Sequence, residues 1–191
     1  MASFGTGHIY KEERVFEIRC PDRFLRDIRI LINGELLYSS KAETINKSLS
    51  QRKTLLDAAG QEILLVRWKT SGLHQARLIE CPPGTERCQV RTSTVNPGRR
   101  VRLETKLPND AGGEVVFACE AVDNGGLTNR FFVGETQVGE LCMTESNDLD
   151  FLHAQGLDRS AWRLRVGAGV DVALVLAICF MRIEDQHAWR K

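Results

Sequence analysis

The C-terminal part of the chain contains a continuous apolar segment, Val170–Ile183, in which Val172–Met181 carries no polar side chain. A helix at a protein surface has one apolar stripe and a polar back, so a helix that is apolar on every side must be enclosed. A membrane-spanning helix needs roughly 20 apolar residues, and ten residues of helix reach only about 15 Å. The segment therefore predicts a helix that is buried inside the protein and does not span a membrane.

The preceding chain consists mainly of short segments in which apolar and polar residues alternate, the pattern of a half-buried β-strand. Val15–Cys20 and Gln61–Lys69 show it clearly. Asn33-Gly34 interrupts the alternation within Ile28–Ser39, and this dipeptide favours the type I′ turn of a β-hairpin. The other predicted strands are Gln51–Asp57, His74–Cys81, Cys88–Thr94, Arg99–Lys106, Glu114–Val122, Leu127–Val133, Gln137–Met143 and Ala161–Val166.

Strands that follow one another every 8–14 residues or so, with turn residues between them, indicate an antiparallel sandwich or barrel. About eight strands is the limit for a barrel filled by side chains alone, and an all-round apolar helix could fill a wider one. The pattern therefore predicts a mainly β fold, a closed antiparallel β-barrel of about 12 strands enclosing the C-terminal helix. The expected organisation is a flexible tail over residues 1–13, a barrel domain over 14–185 and a charged tail over 186–191. A short helix is expected around Asp148–Gln155, within a long polar connection.

Composition narrows the function classes without selecting one. The 191 residues are 42% hydrophobic and 27% charged, as in ordinary globular proteins, and the net charge is +1. Such a balance provides no overall attraction to nucleic acid or to a membrane, so nucleic acid is not an expected partner and anion binding would need a local patch. The first residues lack a secretory signal, which favours a cytoplasmic protein. The six cysteines are expected to be free, buried thiols, with a Cys81–Cys88 disulfide as the alternative.

Three segments resemble the tubby C-terminal-like fold, in the branch that holds phospholipid scramblases and the plant LURP-one-related proteins. The first is the strand and helix start Ala161–Ile178, which includes a Val-Asp step before an Ala/Leu/Val-rich helix. The second is the hairpin Arg130–Met143, with Gly-Glu-Thr at its turn. The third is the early order of an Asn-Gly hairpin, Leu55-Leu56-Asp57 and Leu64–Lys69. The resemblance covers Val15–Glu184 and implies a closed barrel threaded by its C-terminal helix.

The resemblance implies little about the biochemical function of this chain. Tubby domains bind phosphoinositides through a basic surface site, scramblase-like members associate with membranes, and the LURP-one-related branch is linked to defence and stress responses. This chain has neither a cysteine-rich palmitoylation cluster nor an EF-hand-like calcium motif. The absence of these two features counts against scramblase activity.

Signals of catalysis are weak. The sequence has no G-x-S-x-G, P-loop or H-E-x-x-H motif, and its four histidines are far apart. A trio such as Cys142, His153 and Asp150 can be written down, but such combinations arise by chance in most chains. We therefore expect a protein that is not an enzyme and needs no cofactor or metal.

A set of basic residues forms the one constellation with a plausible binding mechanism. If consecutive strands are neighbours, outward-facing arginines could form a patch that contacts phosphate groups bidentately. The alternative is an ordinary solvated face, neutralised by the interspersed Glu80, Glu86 and Glu104. The candidate lipid- or anion-binding residues are Arg67, Lys69, Arg77, Arg91, Arg99, Arg100 and Arg102.

Asp171 has a structural interpretation. It precedes the predicted helix, where a carboxylate can accept hydrogen bonds from the free N–H groups of the first turn. We expect it to be the helix cap, with an ion-binding or catalytic role as the alternative.

The sequence thus favours a non-catalytic binding or adaptor module that docks peripherally on anionic phospholipid, such as a phosphoinositide, at the plasma membrane. One alternative is a protein-interaction scaffold in stress or defence signalling that binds an unidentified protein and no lipid. The other is a scramblase-like, membrane-associated protein.

Overall fold

The computed structural model of the chain describes residues 7–21, 25–44, 51–69, 76–95, 100–109, 112–146 and 158–189. These ranges contain twelve β-strands followed by one helix. In chain order the strands are β1 (Arg14–Cys20), β2 (Asp27–Ile32), β3 (Glu35–Thr44), β4 (Gln51–Asp57), β5 (Glu62–Lys69), β6 (Ala76–Glu80), β7 (Glu86–Val95), β8 (Arg100–Pro108), β9 (Glu114–Ala121), β10 (Thr128–Val133), β11 (Thr136–Ser146) and β12 (Ser160–Val166), and the helix is α1 (Val172–Trp189).

The strands form a closed barrel in which each strand pairs with its neighbours along the chain. All the pairings are antiparallel, and β1 completes the ring by pairing with β12, where Ile18 lies opposite Trp162. Short connections suit this arrangement, because antiparallel neighbours need only a turn between them. The predicted twelve-strand antiparallel barrel is confirmed.

Helix α1 runs through the centre of the barrel. From Val172 to Ile183 no residue is more than 1% exposed, and inward-facing strand residues such as Phe16, Leu64 and Trp162 surround the helix. Burying one large aliphatic or aromatic side chain contributes about 1.5–3 kcal/mol, so contact between helix and wall supplies much of the driving force for folding. The helix predicted from the apolar segment is therefore enclosed, as expected, by the protein's own strands.

The start of α1 is tied down from two sides. The Asp171 carboxylate accepts hydrogen bonds from the N–H groups of Ala173 (3.1 Å) and Leu174 (3.4 Å), the geometry of an N-cap. The N–H of Val172 donates to the carbonyl of His8 at 3.0 Å, and Ile9 forms a β-bridge with Asp171. Residues 8–10, which the sequence assigns to the N-terminal tail, thus contact the end of the barrel where the helix begins.

Two further features bear on the sequence predictions. Asn33 and Gly34 have φ values of 51° and 84°, as the predicted type I′ turn between β2 and β3 requires. Helix α1 continues to Trp189, so that residues 186–189 of the expected charged tail are helical. The short helix expected around Asp148–Gln155 lies outside the described residues.

Candidate anion-binding surface

Two arginines lie opposite each other on the outer wall of the barrel. Arg52 on β4 is paired in register with Arg67 on β5. Their strand neighbours Lys53 and Val66 face the interior and are buried, so Arg52 and Arg67 belong to the outward face. Like charges directly opposite each other in a sheet are destabilising. Glu80 on β6 offsets part of this repulsion, because its carboxylate accepts a hydrogen bond from Arg67 and lies close enough to Arg52 to be stabilised by it.

The two arginines line a groove of about 560 Å³ on the outside of the barrel. The groove crosses β4, β5 and the turn that follows β6, which brings a backbone N–H group and a proline ring to its edge. Its lining residues are Arg52, Thr54, Glu62, Leu65, Arg67, Glu80, Pro83 and Gly84.

Glu80 positions Arg67 in this groove. Arg67 Nε donates to one oxygen of the Glu80 carboxylate, and the N–H of Gly84 donates to the other at 2.8 Å. Burial alone would raise the pKa of Glu80, but these hydrogen bonds and the positive charges of Arg67 and Arg52 lower it overall. Glu80 is therefore ionised and holds Arg67 through Nε. Within the described residues, the Arg67 Nη groups make no hydrogen bond.

The predicted basic residues of β7 and β8 form a separate group. Arg91 is exposed and lies opposite Glu104 in the register. Arg102 donates to Glu104 at 3.0 Å and also to Glu120. Strands are about 4.8 Å apart, so roughly 14 Å of sheet separates the β8 residues from β5. Glu104 and Glu120 neutralise Arg102, as the alternative interpretation expects.

The prediction that Arg77 belongs to an outer basic surface is wrong. Arg77 is 3% exposed, and both of its Nη groups donate to Asp185 of α1, one of them at 3.1 Å. The guanidinium also lies 4.2 Å from the centre of the Trp68 ring. Arg77 faces the interior because α1 carries acidic residues where it nears the end of the barrel, and these supply a partner for a buried cation.

The remaining predicted residues are only partly described. Lys69 and Arg100 lie in β5 and β8, but their side chains, and the whole of Arg99, fall outside the described part of the chain.

Two other buried polar contacts join α1 to the inner wall near Arg77. Lys53 Nζ forms an ion pair with Glu184 at 2.6 Å, and Arg182 Nε donates to Asn129 Oδ1 at 2.9 Å. Sequence reasoning missed Lys53, although its position two residues before Leu55 places it on the inward face of β4. It also missed Arg52, although the alternation that turns Lys53 inward turns Arg52 outward.

The described residues contain no cluster of three or more histidine, cysteine, aspartate or glutamate side chains that could hold a metal ion. Among the same residues, no helix combines the length and the apolar character that crossing a membrane requires.

A closed antiparallel barrel of twelve strands around one buried C-terminal helix defines the structural class of this protein. Residues 14–182 match the family model described as LURP-one-related, and the chain therefore belongs to the LURP-one-related family. The X-ray structure of the Arabidopsis thaliana protein AT5G01750 is similar in fold, with a TM-score of 0.61 and 15% sequence identity. The match covers 94% of each chain. No curated protein matches the sequence.

Proposed function

We propose that this barrel is a non-catalytic binding module that docks peripherally on anionic phospholipid. The docking surface is the outer groove of β4–β6, centred on Arg52 and Arg67. The observation that carries the proposal is the direct cross-strand pairing of these two arginines on one open groove. A phosphate group placed between them would add charge-assisted contacts with Arg52 and with the Arg67 Nη groups, which make no hydrogen bond to Glu80.

The arrangement of charges supports a headgroup rather than a deeply bound ligand. Arg52 is exposed, and Glu80 fixes Arg67 so that its Nη groups remain available at the groove. Basic residues near an anionic membrane surface contribute about 1 kcal/mol each, which suits reversible and salt-sensitive association. A scramblase-like insertion of α1 is disfavoured, because the apolar segment 172–181 lies entirely inside the barrel.

Vesicle co-sedimentation tests the function. The full chain is mixed with phosphatidylcholine vesicles that contain, or lack, a phosphatidylinositol phosphate, at low and at raised sodium chloride. We expect binding to the anionic vesicles alone, and we expect raised salt to weaken it. If the chain does not bind the anionic vesicles, the proposal fails and the protein-interaction scaffold becomes the better hypothesis.

A further inference from the structure

A second cavity lies at the end of the barrel where α1 approaches its C-terminus. Its volume is about 360 Å³, within the range of small-molecule sites. One side consists of inner-wall residues Val101 and Ala121 with Leu127, and the other consists of Arg182 and Gln186 of α1. None of these residues lines the outer groove, so the cavity is a separate feature of the molecule.

Arg182 is a buried cation on the floor of this cavity. It is 1% exposed, and among the described residues its hydrogen-bond partner is the neutral amide of Asn129. That amide in turn donates to the carbonyl of Gly126 at 2.9 Å. A buried charge without a counter-charge is costly, and Arg182 makes no ion pair within the described residues.

The two carboxylates that line the cavity are engaged elsewhere. Asp185 accepts hydrogen bonds from Arg77 on both of its oxygens. Asp123 accepts the N–H groups of Leu127 at 3.1 Å and Thr128 at 2.7 Å, which closes the turn between β9 and β10. Among the described residues, neither carboxylate forms an ion pair with Arg182.

Gly126 allows the side chains of Arg182 and Gln186 to pack against the backbone of the turn between β9 and β10. A Cβ atom at this position would lie 2.9 Å from Arg182 Nη2 and would collide with Gln186 Nε2. Arg182 and Gln186 are four residues apart on α1 and so lie on the same face of the helix. Their donor groups therefore converge at the same wall of the cavity, beside Gly126.

We propose that this cavity binds a small organic carboxylate with an apolar body. The carboxylate accepts hydrogen bonds from Arg182 and from the Gln186 amide, in the geometry that guanidinium groups favour. The apolar body contacts Val101, Ala121 and Leu127. Asp123 and Asp185 also line the cavity, so a singly charged carboxylate is repelled less there than a multiply charged phosphate.

Amide-resolved NMR titration of the full chain tests the proposal, with benzoate and octanoate as probes. Benzamide is the neutral counterpart of benzoate, and inorganic phosphate tests whether any anion suffices. We expect benzoate or octanoate to give saturable shifts of the Gly125, Gly126 and Leu127 amides, and we expect no such shifts with benzamide or phosphate. The proposal is overturned if neither carboxylate gives saturable shifts there, or if benzamide or phosphate gives equal ones.

A pair of matched variants locates the site. Gln186→Glu places a carboxylate one helical turn after Arg182, and it should weaken benzoate binding about tenfold or more by taking the place of the ligand. Gln137→Glu makes the same charge change at an exposed position on β11 and should leave the affinity within about twofold. Ala121→Leu fills the cavity and provides a second, uncharged way to block binding. Equal affinity in all three variants would contradict the assignment.

Discussion

At the scale of single residues, the fully buried Asp171 caps the central helix from its position between β12 and α1. Its side chain satisfies two N–H groups of α1 inside the barrel, where water cannot replace it. The backbone carbonyl of Asp171 also accepts the N–H of Val175 at 3.2 Å. The residue therefore fixes the point at which the central helix begins.

Replacing Asp171 should destabilise the fold, and the loss should depend on whether the new side chain can still accept the hydrogen bonds of the helix cap. Asp171→Ala removes the cap and leaves buried donors unsatisfied, so we expect the free energy of unfolding to fall by about 2 kcal/mol. Asp171→Asn keeps an acceptor oxygen and should cost less than half as much. Urea denaturation of both variants measures the difference, and equal losses would show that the negative charge, not the capping geometry, matters.

Arg77 shows the limit of sequence reasoning at this scale. The rule that polar residues face outward placed it on the surface, but its partner Asp185 is 108 residues away in the chain. Both faces of β6 are covered, and all five of its residues are buried. An alternation of polar and apolar residues therefore could not indicate which side chains face the helix. By contrast, local signals predicted the capping position of Asp171 and the Asn33-Gly34 turn, because each depends on adjacent residues only.

At the scale of elements, α1 changes character along its length. Residues 172–181 contact an apolar wall, whereas Arg182, Glu184 and Asp185 meet polar partners on β10, β4 and β6. These polar contacts hold the last turns of α1 against the wall. The apolar pattern predicted the first part of this arrangement. The second part depends on which strands surround the helix end, information that exists only in the folded barrel.

The ion pair between Lys53 and Glu184 should show the asymmetry of a buried charge pair. Lys53→Met alone leaves Glu184 without its partner and should lower the free energy of unfolding by about 3 kcal/mol. The double variant Lys53→Met/Glu184→Leu removes both charges and should lie within about 1 kcal/mol of the parent. Urea denaturation of the two single variants and the double variant measures the coupling. Additive losses would contradict a direct pair.

At the scale of the whole molecule, enclosure controls the chemistry of the cysteines. All six are free, five are buried, and Cys142 is partly exposed on β11. Burial raises the pKa of the Cys88 thiol to about 11 and that of Cys119 to about 12. Few thiolates therefore exist at neutral pH, and reagents reach the interior only when the barrel opens.

Thiol titration of the native protein should reflect this enclosure. A disulfide reagent is expected to modify Cys142 first, and the other five cysteines at the much slower rate of barrel opening. Cys142→Ser should abolish the fast phase, and denaturant should expose all the remaining thiols at once. A fast phase that persists in Cys142→Ser would contradict the closed barrel.

We propose that this family member docks on anionic lipid through the β4–β6 groove and not through its charge in general. Charge reversal at two exposed arginines tests it: Arg52→Glu in the groove, and Arg163→Glu on β12, four strands away around the ring. Both variants change the net charge equally, so the dissociation constants for phosphatidylinositol phosphate vesicles report location alone. At about 1 kcal/mol per unit of charge, Arg52→Glu should weaken binding about 30-fold, whereas Arg163→Glu should weaken it less than about threefold. Equal losses in the two variants, or no loss in Arg52→Glu, would contradict the account.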